Sequence, residues 1–202
     1  SIRGDTVTIY GQGVYRHMSA EVAVQGIAQD YVTLFVGAPL LLLGLLLFRR
    51  KKGIGYFLLS GTLFYFLVTY LFYSAMGMYN ELFLLYVSLL GLSFFAFILT
   101  FFSLDFRELG RQFEKEKPLR YGGLFLIVNS LMVAVLWLGI VLPPLMDGTI
   151  YPEEVAHYTT LIVQGFDLGL LLPMGVAAGW IAKKKNRMGY VFATTYLVFL
   201  AL

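Results

Sequence analysis

Long apolar segments alternate with short polar ones along most of the chain. Predominantly apolar runs occupy positions 31–48, 53–78, 82–104, 121–142, 158–182 and 189–202. About 20 such residues in a helix cross the ~30 Å hydrocarbon core of a bilayer. The pattern therefore predicts an all-α transmembrane helix bundle with six spans.

The sixth apolar run, 189–202, is shorter than the others. As a helix, roughly 14 residues cover only ~21 Å of the hydrocarbon core. We therefore expect this span to be cut short at residue 202. We also expect a segment upstream of Ser1 to have been removed or left out, because the chain begins without a methionine or a cleavable signal.

The first 29 residues carry a different pattern. Hydroxyl and apolar side chains alternate over 6–9, and a Gly-Gln-Gly turn follows at 11–13. Alternation with a period of two is typical of extended chain, and glycines next to it favour a turn. Residues 1–29 are therefore predicted to form a small cap or hairpin, separate from a transmembrane bundle over residues 30–202.

Composition excludes several classes of protein. Hydrophobic residues make up 59% of the chain and charged residues only 13%, whereas soluble domains carry ~25% charged residues. A chain of 202 residues has too small an interior to hide so much apolar surface from water. This excludes a soluble globular protein. The main partner of the chain is then the lipid bilayer. Disorder and nucleic-acid binding are excluded as well, and without cysteine, disulfides and thiolate metal sites are impossible.

The positions of Lys and Arg predict the orientation of the chain. Thirteen of the 15 basic residues lie in three loops, at 49–52, 105–120 and 183–187. Loops rich in Lys and Arg stay on the cytoplasmic side of a membrane. The sequence therefore predicts a multi-pass protein of the cell (cytoplasmic) membrane whose N-terminus is extracytoplasmic. The acidic segment 143–157 then lies outside as well.

Two parts of the chain are similar to each other. Residues 30–36 and 157–163 share four identities in seven aligned positions, and the spans that follow both open with Gly-Tyr, at 55–56 and 189–190. Both copies run from outside to inside and back, which predicts a parallel repeat, as some transporters are built. A three-helix unit would give seven spans in a 3+1+3 arrangement. The alternative is convergence, because many such spans begin with Tyr and end with Lys or Arg.

Four segments carry a resemblance to a known family: RGDTVTIYGQGVYR, DYVTLFVGAPLLLLGLLLFRRKKG, YNELFLLYVSLLGLSFFAF and YTTLIVQGFDLGLLLPMGVAAG. With these segments the chain resembles a family of uncharacterised prokaryotic multi-spanning membrane proteins. The resemblance covers most of the chain and implies an integral membrane protein with this order of segments, longer at both ends. It implies no activity, because the family has none assigned.

One carboxylate lies well inside a predicted span. Asp167 falls about nine residues into the fifth span, where a charged Asp costs at least ~2.5 kcal/mol on insertion scales. Thr160, Gln164 and Asp167 follow at i, i+4 and i+7, so they share one helical face. We expect this face to point into the bundle and Asp167 to contact an ion, a proton or a substrate. The alternative is that Asp167 is protonated or hydrogen-bonded and holds helices together.

A polar and aromatic stripe runs along the second span. Its members are Thr62, Tyr65, Thr69 and Tyr73, at i, i+3, i+7 and i+11, and Tyr65 is too deep in the span for an interfacial tyrosine. Polar groups inside a membrane need partners. We therefore expect this stripe to meet Asp167 across a cavity that opens outward.

Two further acids, Asp30 and Glu81, lie at the predicted starts of the first and third spans. An acid at that position satisfies free N–H groups and complements the helix dipole, so helix capping is the favoured interpretation of both. Both also lie on the predicted outer side, below the cap. Contact with a ligand in a cavity that the cap covers is therefore the alternative.

These features predict a protein that binds or transports a small polar or cationic ligand through an outward-facing cavity near Asp167. The alternatives are a membrane-embedded enzyme that modifies a lipid, and a structural or assembly subunit whose partner is another membrane protein or a second copy of the chain. An enzyme is less favoured because no pair of nucleophile and base stands out, so no catalytic residue is assigned. His17 and His157 are too few and too far apart for a metal or haem site, so no cofactor is predicted.

Overall fold

Helices make up most of the described chain. The structure is a computed structural model that describes residues 1, 3–103, 118–184 and 186–202. Its long helices are α1 (Ala20–Arg49), α2 (Gly53–Ala75), α3 (Phe83–Phe102), α4 (Pro118–Met146), α5 (Ile162–Lys183) and α6 (Arg187–Leu200). Short 3-10 turns occur at Gly13–Tyr15 and Glu153–Val155. Most of the predicted basic segment 105–120 lies outside the described residues.

Five of these helices are long and apolar enough to cross a membrane. They are α1, α2, α3, α5 and the part Tyr121–Met146 of α4, judged by length and composition. The prediction of an all-α bundle, typical of a multi-pass membrane protein, is therefore confirmed. The sixth predicted span is helical too, but α6 has only 14 residues, and a helix of that length covers ~21 Å.

The first helix begins earlier than the apolar pattern predicted. α1 starts at Ala20, whereas the apolar run starts at 31. Residues 20–30 mix Glu, Gln and Asp with Ala, Val and Ile. This mixture lowers the local hydropathy but still allows a helix with one apolar face, on which Ala23 is fully buried. The predicted boundary between cap and bundle, after residue 29, therefore falls inside a helix.

Residues 3–19 form what we call the cap. An isolated antiparallel bridge joins Ile9 to Ser19, with backbone hydrogen bonds of 2.9 Å on either side of it. Between the bridged residues the chain turns through Gly11 and Gly13, whose φ angles of 77° and 55° favour glycine. The predicted hairpin is therefore a loop closed by one bridge.

α2 lies at the centre of the bundle. It packs against α1, α3 and α6, and 72% of its most apolar stretch is buried inside the protein. α5 packs against α4 and α6. α2 and α6 approach closely at Gly61, where a Cβ atom would lie 2.9 Å from the backbone oxygen of Thr195. Small residues at a crossing allow membrane helices to come this close.

α1 and α5 share an irregularity. Each contains a five-residue π-helical turn, Thr33–Gly37 in α1 and Asp167–Leu171 in α5, and a proline follows each turn, at Pro39 and Pro173. Proline has no N–H to donate to the carbonyl four residues earlier, and the wider turn accommodates that loss. The features recur at one interval, because 33 and 167, 37 and 171, and 39 and 173 are each 134 positions apart.

The two ends of the bundle differ in charge. At the end that we call the basic end, α1 leads into α2 through residues 49–52, and α5 leads into α6 through residues 183–187. The cap lies at the other end, which we call the cap end, with the turn between α2 and α3 and the segment between α4 and α5. Ser19 N of the cap donates to Tyr158 OH of that segment at 3.1 Å.

Candidate functional site

A cavity lies at the cap end of the bundle. Its volume is about 450 Å³, and it is lined by α1, the second half of α2, the first turns of α3 and α5, the end of α6 and the cap. The cap contributes Tyr15 and Met18, so it covers part of the cavity. Apolar and aromatic side chains form most of the wall, and amide and hydroxyl groups form the rest. Cavities of this size and composition are typical of small-molecule sites.

A hydrogen-bonded network of amide and hydroxyl groups lies in the wall between α1 and α2. Gln29 Nε2 donates to Tyr65 OH at 2.7 Å and lies 3.3 Å from Thr69 Oγ1. The hydroxyls of Thr33 and Tyr65 lie 2.8 Å apart. Tyr65 and Thr69 are only 4% and 5% exposed. Such partners are necessary, because an unpaired polar group inside a membrane is costly.

A second network joins Asp30 to two tyrosines. Tyr15 OH donates to Asp30 Oδ2 at 2.7 Å, and Tyr73 OH lies 2.8 Å from Asp30 Oδ1 and 3.2 Å from Gly26 O. Burial and the hydrogen bond to Asp30 raise the pKa of Tyr15, so its hydroxyl remains a neutral donor. The favoured capping interpretation of Asp30 is wrong, because Asp30 lies inside α1, where the backbone N–H groups are already paired.

Glu81 attaches the cap to the turn between α2 and α3. Its carboxylate pairs with Arg16 of the cap, and Asn80 Nδ2 beside it donates to Val14 O at 3.4 Å. Its own backbone N–H and the ion pair with Arg16 lower the pKa of Glu81. The start of α3 at Phe83 has no side-chain cap, so the capping interpretation fails here too. Glu81 is not among the described residues that line the cavity.

Asp167 lies outside the cavity wall. It is the half-buried first residue of the π turn in α5, and its Oδ2 accepts a 2.7 Å hydrogen bond from Trp137 Nε1 in α4. Asp167 and Gln164 are both missing from the described residues that line the cavity. Thr160 is exposed and precedes α5, which begins at Ile162. The predicted polar face does not form, because α5 begins at Ile162 and Thr160 is not part of the helix. The prediction had assumed a helix that begins at 158.

The structure brings together one predicted stripe and adds residues that the sequence analysis missed. Three of the four members of the α2 stripe line the cavity: Tyr65, Thr69 and Tyr73. Thr62 is not among the described residues that line it, and its hydroxyl donates to Leu58 O at 2.7 Å. Gln29 and Tyr15 lie beside the three lining residues, although both had been assigned to the cap without a function. An amphipathic helix over 20–32 would have placed Gln29 on the face that meets α2. That pattern was the available signal, and the polar residues around it obscured it.

No described residue in the cavity wall has a charged side chain. The acids that were expected there have other partners, since Asp30 accepts hydrogen bonds from tyrosines and Glu81 pairs with Arg16. Within the described ranges, no group of three His, Asp or Glu residues could hold a metal ion. His157 Nε2 instead lies 2.9 Å from the carbonyl oxygen of His17.

The geometry of the cavity is the guide to its function. No protein-family model, curated protein or solved structure matches the chain. The resemblance to prokaryotic multi-spanning membrane proteins stays a prediction. The cavity offers a ligand an apolar space with a small number of hydrogen-bonding groups, and such a site selects by shape and by hydrogen bonds.

Proposed function

We propose that this protein binds a small molecule in the cap-end cavity, as the outward-facing site of a membrane transporter. The observation that carries the proposal is the position of the cavity, which lies between two halves of the chain that are built alike. Transporters with internal repeats hold their substrates at the interface between the repeats.

The two halves are α1 with α2 and α5 with α6. The π turns and prolines of α1 and α5 recur 134 positions apart, and Gly55 and Gly189 at the starts of α2 and α6 have the same interval. A Cβ atom at either glycine would overlap the end of the preceding helix, at Leu47 and Phe48 or at Ile181 and Ala182. These contacted residues are again 134 positions apart. Convergence of interfacial residues does not explain matching contacts in the interior.

Contacts between α2 and α6 fit a two-fold axis between the halves. Gly61 and Thr195 are equivalent at this interval, and they contact each other where the helices cross. Contact between equivalent positions is what a two-fold axis requires. Because α1 and α5 both run from the cap end to the basic end, the axis lies along the helices, as in a parallel repeat. The match of 30–36 with 157–163 has an interval of 127 and does not fit these contacts.

The cavity lies on this axis. Three pairs of equivalent positions line it: Gln29 and Val163, Tyr65 and Phe199, and Val68 and Leu202. If the cavity lay inside one half, only one member of each pair would line it. The cavity therefore depends on both halves, and a relative movement of the halves would change its access.

The cap end faces outward in this proposal. Both basic turns, at 49–52 and 183–187, lie at the opposite end, and loops rich in Lys and Arg stay in the cytoplasm. The chain is then a multi-pass protein of the cytoplasmic membrane with an extracytoplasmic N-terminus, and the cap covers the cavity from outside. α3 is the third helix of the first unit and α4 is the linker of the 3+1+3 arrangement.

Co-purification tests the binding part of the proposal. The protein is purified from membranes in mild detergent, and bound small molecules are extracted and identified by mass spectrometry. Val22→Trp fills the cavity from α1, and Val24→Trp on the same helix is the matched control, because Val24 is 60% exposed. We expect one molecule to copurify with the wild type and the control and to fall at least ~10-fold in Val22→Trp. Equal amounts in the two variants would refute the proposal.

Uptake tests the transport part. Vesicles that contain the wild type or Val24→Trp should take up the identified molecule faster than empty vesicles do. Vesicles with Val22→Trp should take it up no faster than empty ones. If the wild type binds the molecule but does not take it up, the protein is a binding protein and not a transporter.

A further inference from the structure

The two sides of the cap-end cavity differ in polarity. Where the first half has Gln29, the second has Val163, and where the first half has Tyr65, the second has Phe199. The first half therefore presents an amide and a phenol at positions where the second presents an isopropyl group and an unsubstituted ring. A molecule that fills the space between them meets hydrogen-bonding groups on one side and hydrocarbon on the other.

Gln29 keeps one polar atom available to a ligand. Its Nε2 group is engaged by Tyr65 OH and Thr69 Oγ1. Within the described part of the chain, its carbonyl oxygen accepts no hydrogen bond. If the amide is turned over, the oxygen accepts from Tyr65 and the NH2 group is left instead. In either arrangement a hydrogen-bonding group of this half-buried side chain remains for a ligand.

The wall of the cavity has no counter-ion for a charged ligand. Every side chain that the described residues contribute to it is neutral. Asp30, which is exposed and does not line the cavity, accepts from Tyr15 at one carboxylate oxygen and lies within hydrogen-bond distance of Tyr73 OH at the other. A charge that leaves water for an apolar cavity without a partner is strongly disfavoured, whereas a hydroxyl or carbonyl group needs only one or two hydrogen bonds.

We propose that the ligand of this cavity is a neutral amphipathic molecule. Its hydroxyl or carbonyl group bonds to Gln29 beside Tyr65, and its hydrocarbon or aromatic body packs against Val163 and Phe199 of the second half. This inference rests on the proposed function and narrows it, because the sequence alone favoured a polar or cationic ligand.

Three photoactivatable probes with one common body test the class of ligand. They are 4-(hydroxymethyl)benzophenone, which is neutral, 4-(aminomethyl)benzophenone, which is a cation at neutral pH, and 4-carboxybenzophenone, which is an anion. The purified full chain is irradiated with each probe in detergent, and labelled residues are mapped by peptide mass spectrometry. Diphenylmethanol, which has no photoreactive ketone, serves as the competitor.

We expect the neutral probe to label residues of the cavity wall, with Met18 and Met76 as the readout. The labelling should be at least ~10-fold stronger than with the amine or the carboxylate and should fall with the competitor. It should persist in Val24→Trp and disappear in Val22→Trp. Gln29→Leu should weaken labelling by the hydroxymethyl probe, since leucine offers no hydrogen-bonding group to its hydroxyl.

The possible failures are distinguishable. If the amine or the carboxylate labels Met18 and Met76 best, and Val22→Trp removes that labelling, the neutral class is overturned while the binding site stands. If labelling by all three probes is the same in Val22→Trp and the wild type, the cavity is not a binding site, and the proposed function fails as well.

Discussion

Replacing either Gly55 or Gly189 by alanine should destabilise the protein by a similar amount. Both glycines lie in the first turn of the second helix of a proposed half, and a Cβ atom at either would overlap backbone atoms of the preceding helix. Backbone atoms in a packed helix cannot move aside as the end of a flexible side chain can. The two helices would have to separate locally in each variant.

The magnitude follows from two opposing effects. Extra volume in a well-packed interior costs ~1–3 kcal/mol, and the change from glycine to alanine in a helix returns up to ~1 kcal/mol. Overlap with backbone atoms places the cost in the upper part of this range, so the net loss in the free energy of unfolding should be ~1–2 kcal/mol for each variant. Gly91→Ala is the control, because a Cβ atom at Gly91 has no atom within 4 Å. That variant should gain ~0.5–1 kcal/mol.

The assay is reversible unfolding in mixed micelles of a mild detergent and dodecyl sulfate, followed by circular dichroism. Equal losses for Gly55→Ala and Gly189→Ala, with a neutral or stabilised Gly91→Ala, support two equivalent halves. A variant pair in which one substitution is neutral and the other costs more than ~1 kcal/mol would refute the matched contacts.

Three further predictions concern orientation, Asp167 and the cap. Single cysteines in this cysteine-free chain should react with an impermeant thiol reagent on intact cells at 12 and 147 but not at 52 and 184, and labelling at 184 would reverse the proposed orientation. Trp137→Phe removes the donor to Asp167 and should cost ~1–3 kcal/mol in the same unfolding assay, whereas the exposed Trp180→Phe should cost less; equal losses would argue against a role for the hydrogen bond. The ion pair with Arg16 lowers the pKa of Glu81. The stabilisation of the cap by this ion pair is therefore present above the unfolded pKa of about 4.5 and is lost as the pH falls through the folded pKa. Cap amides should therefore exchange more slowly in the wild type than in Glu81→Gln at neutral pH and equally fast in strong acid, and no difference at neutral pH would contradict this.

The architecture could be predicted from the sequence because it depends on strong, additive signals. Five apolar stretches are long enough to cross a membrane, and they are helical. The cavity-lining part of the α2 stripe, Tyr65, Thr69 and Tyr73, was also predictable, since a polar residue within a regular membrane helix must face other helices. These three side chains lie on one face of α2, and all of them line the cavity.

The rest of the site depends on features that periodicity does not carry. The start of α1 at Ala20 was missed because residues 20–30 are too polar to extend an apolar run, and Gln29 was missed with it. The position of Asp167 outside the cavity wall was not predicted, because the prediction took the fifth span as a regular helix from 158, whereas α5 begins at Ile162 and widens into a π turn at Asp167. Pro173 alone does not predict a π turn, because whether the helix widens there also depends on how it packs against its neighbours.

A density map of the full chain, purified from membranes in mild detergent, would show directly whether the cap-end cavity holds a ligand. We expect density that is not protein in this cavity, in contact with Gln29 on one side and with Phe199 on the other. Density beside Asp167 with none in the cap-end cavity, or a cavity filled by the protein's own side chains, would contradict this expectation.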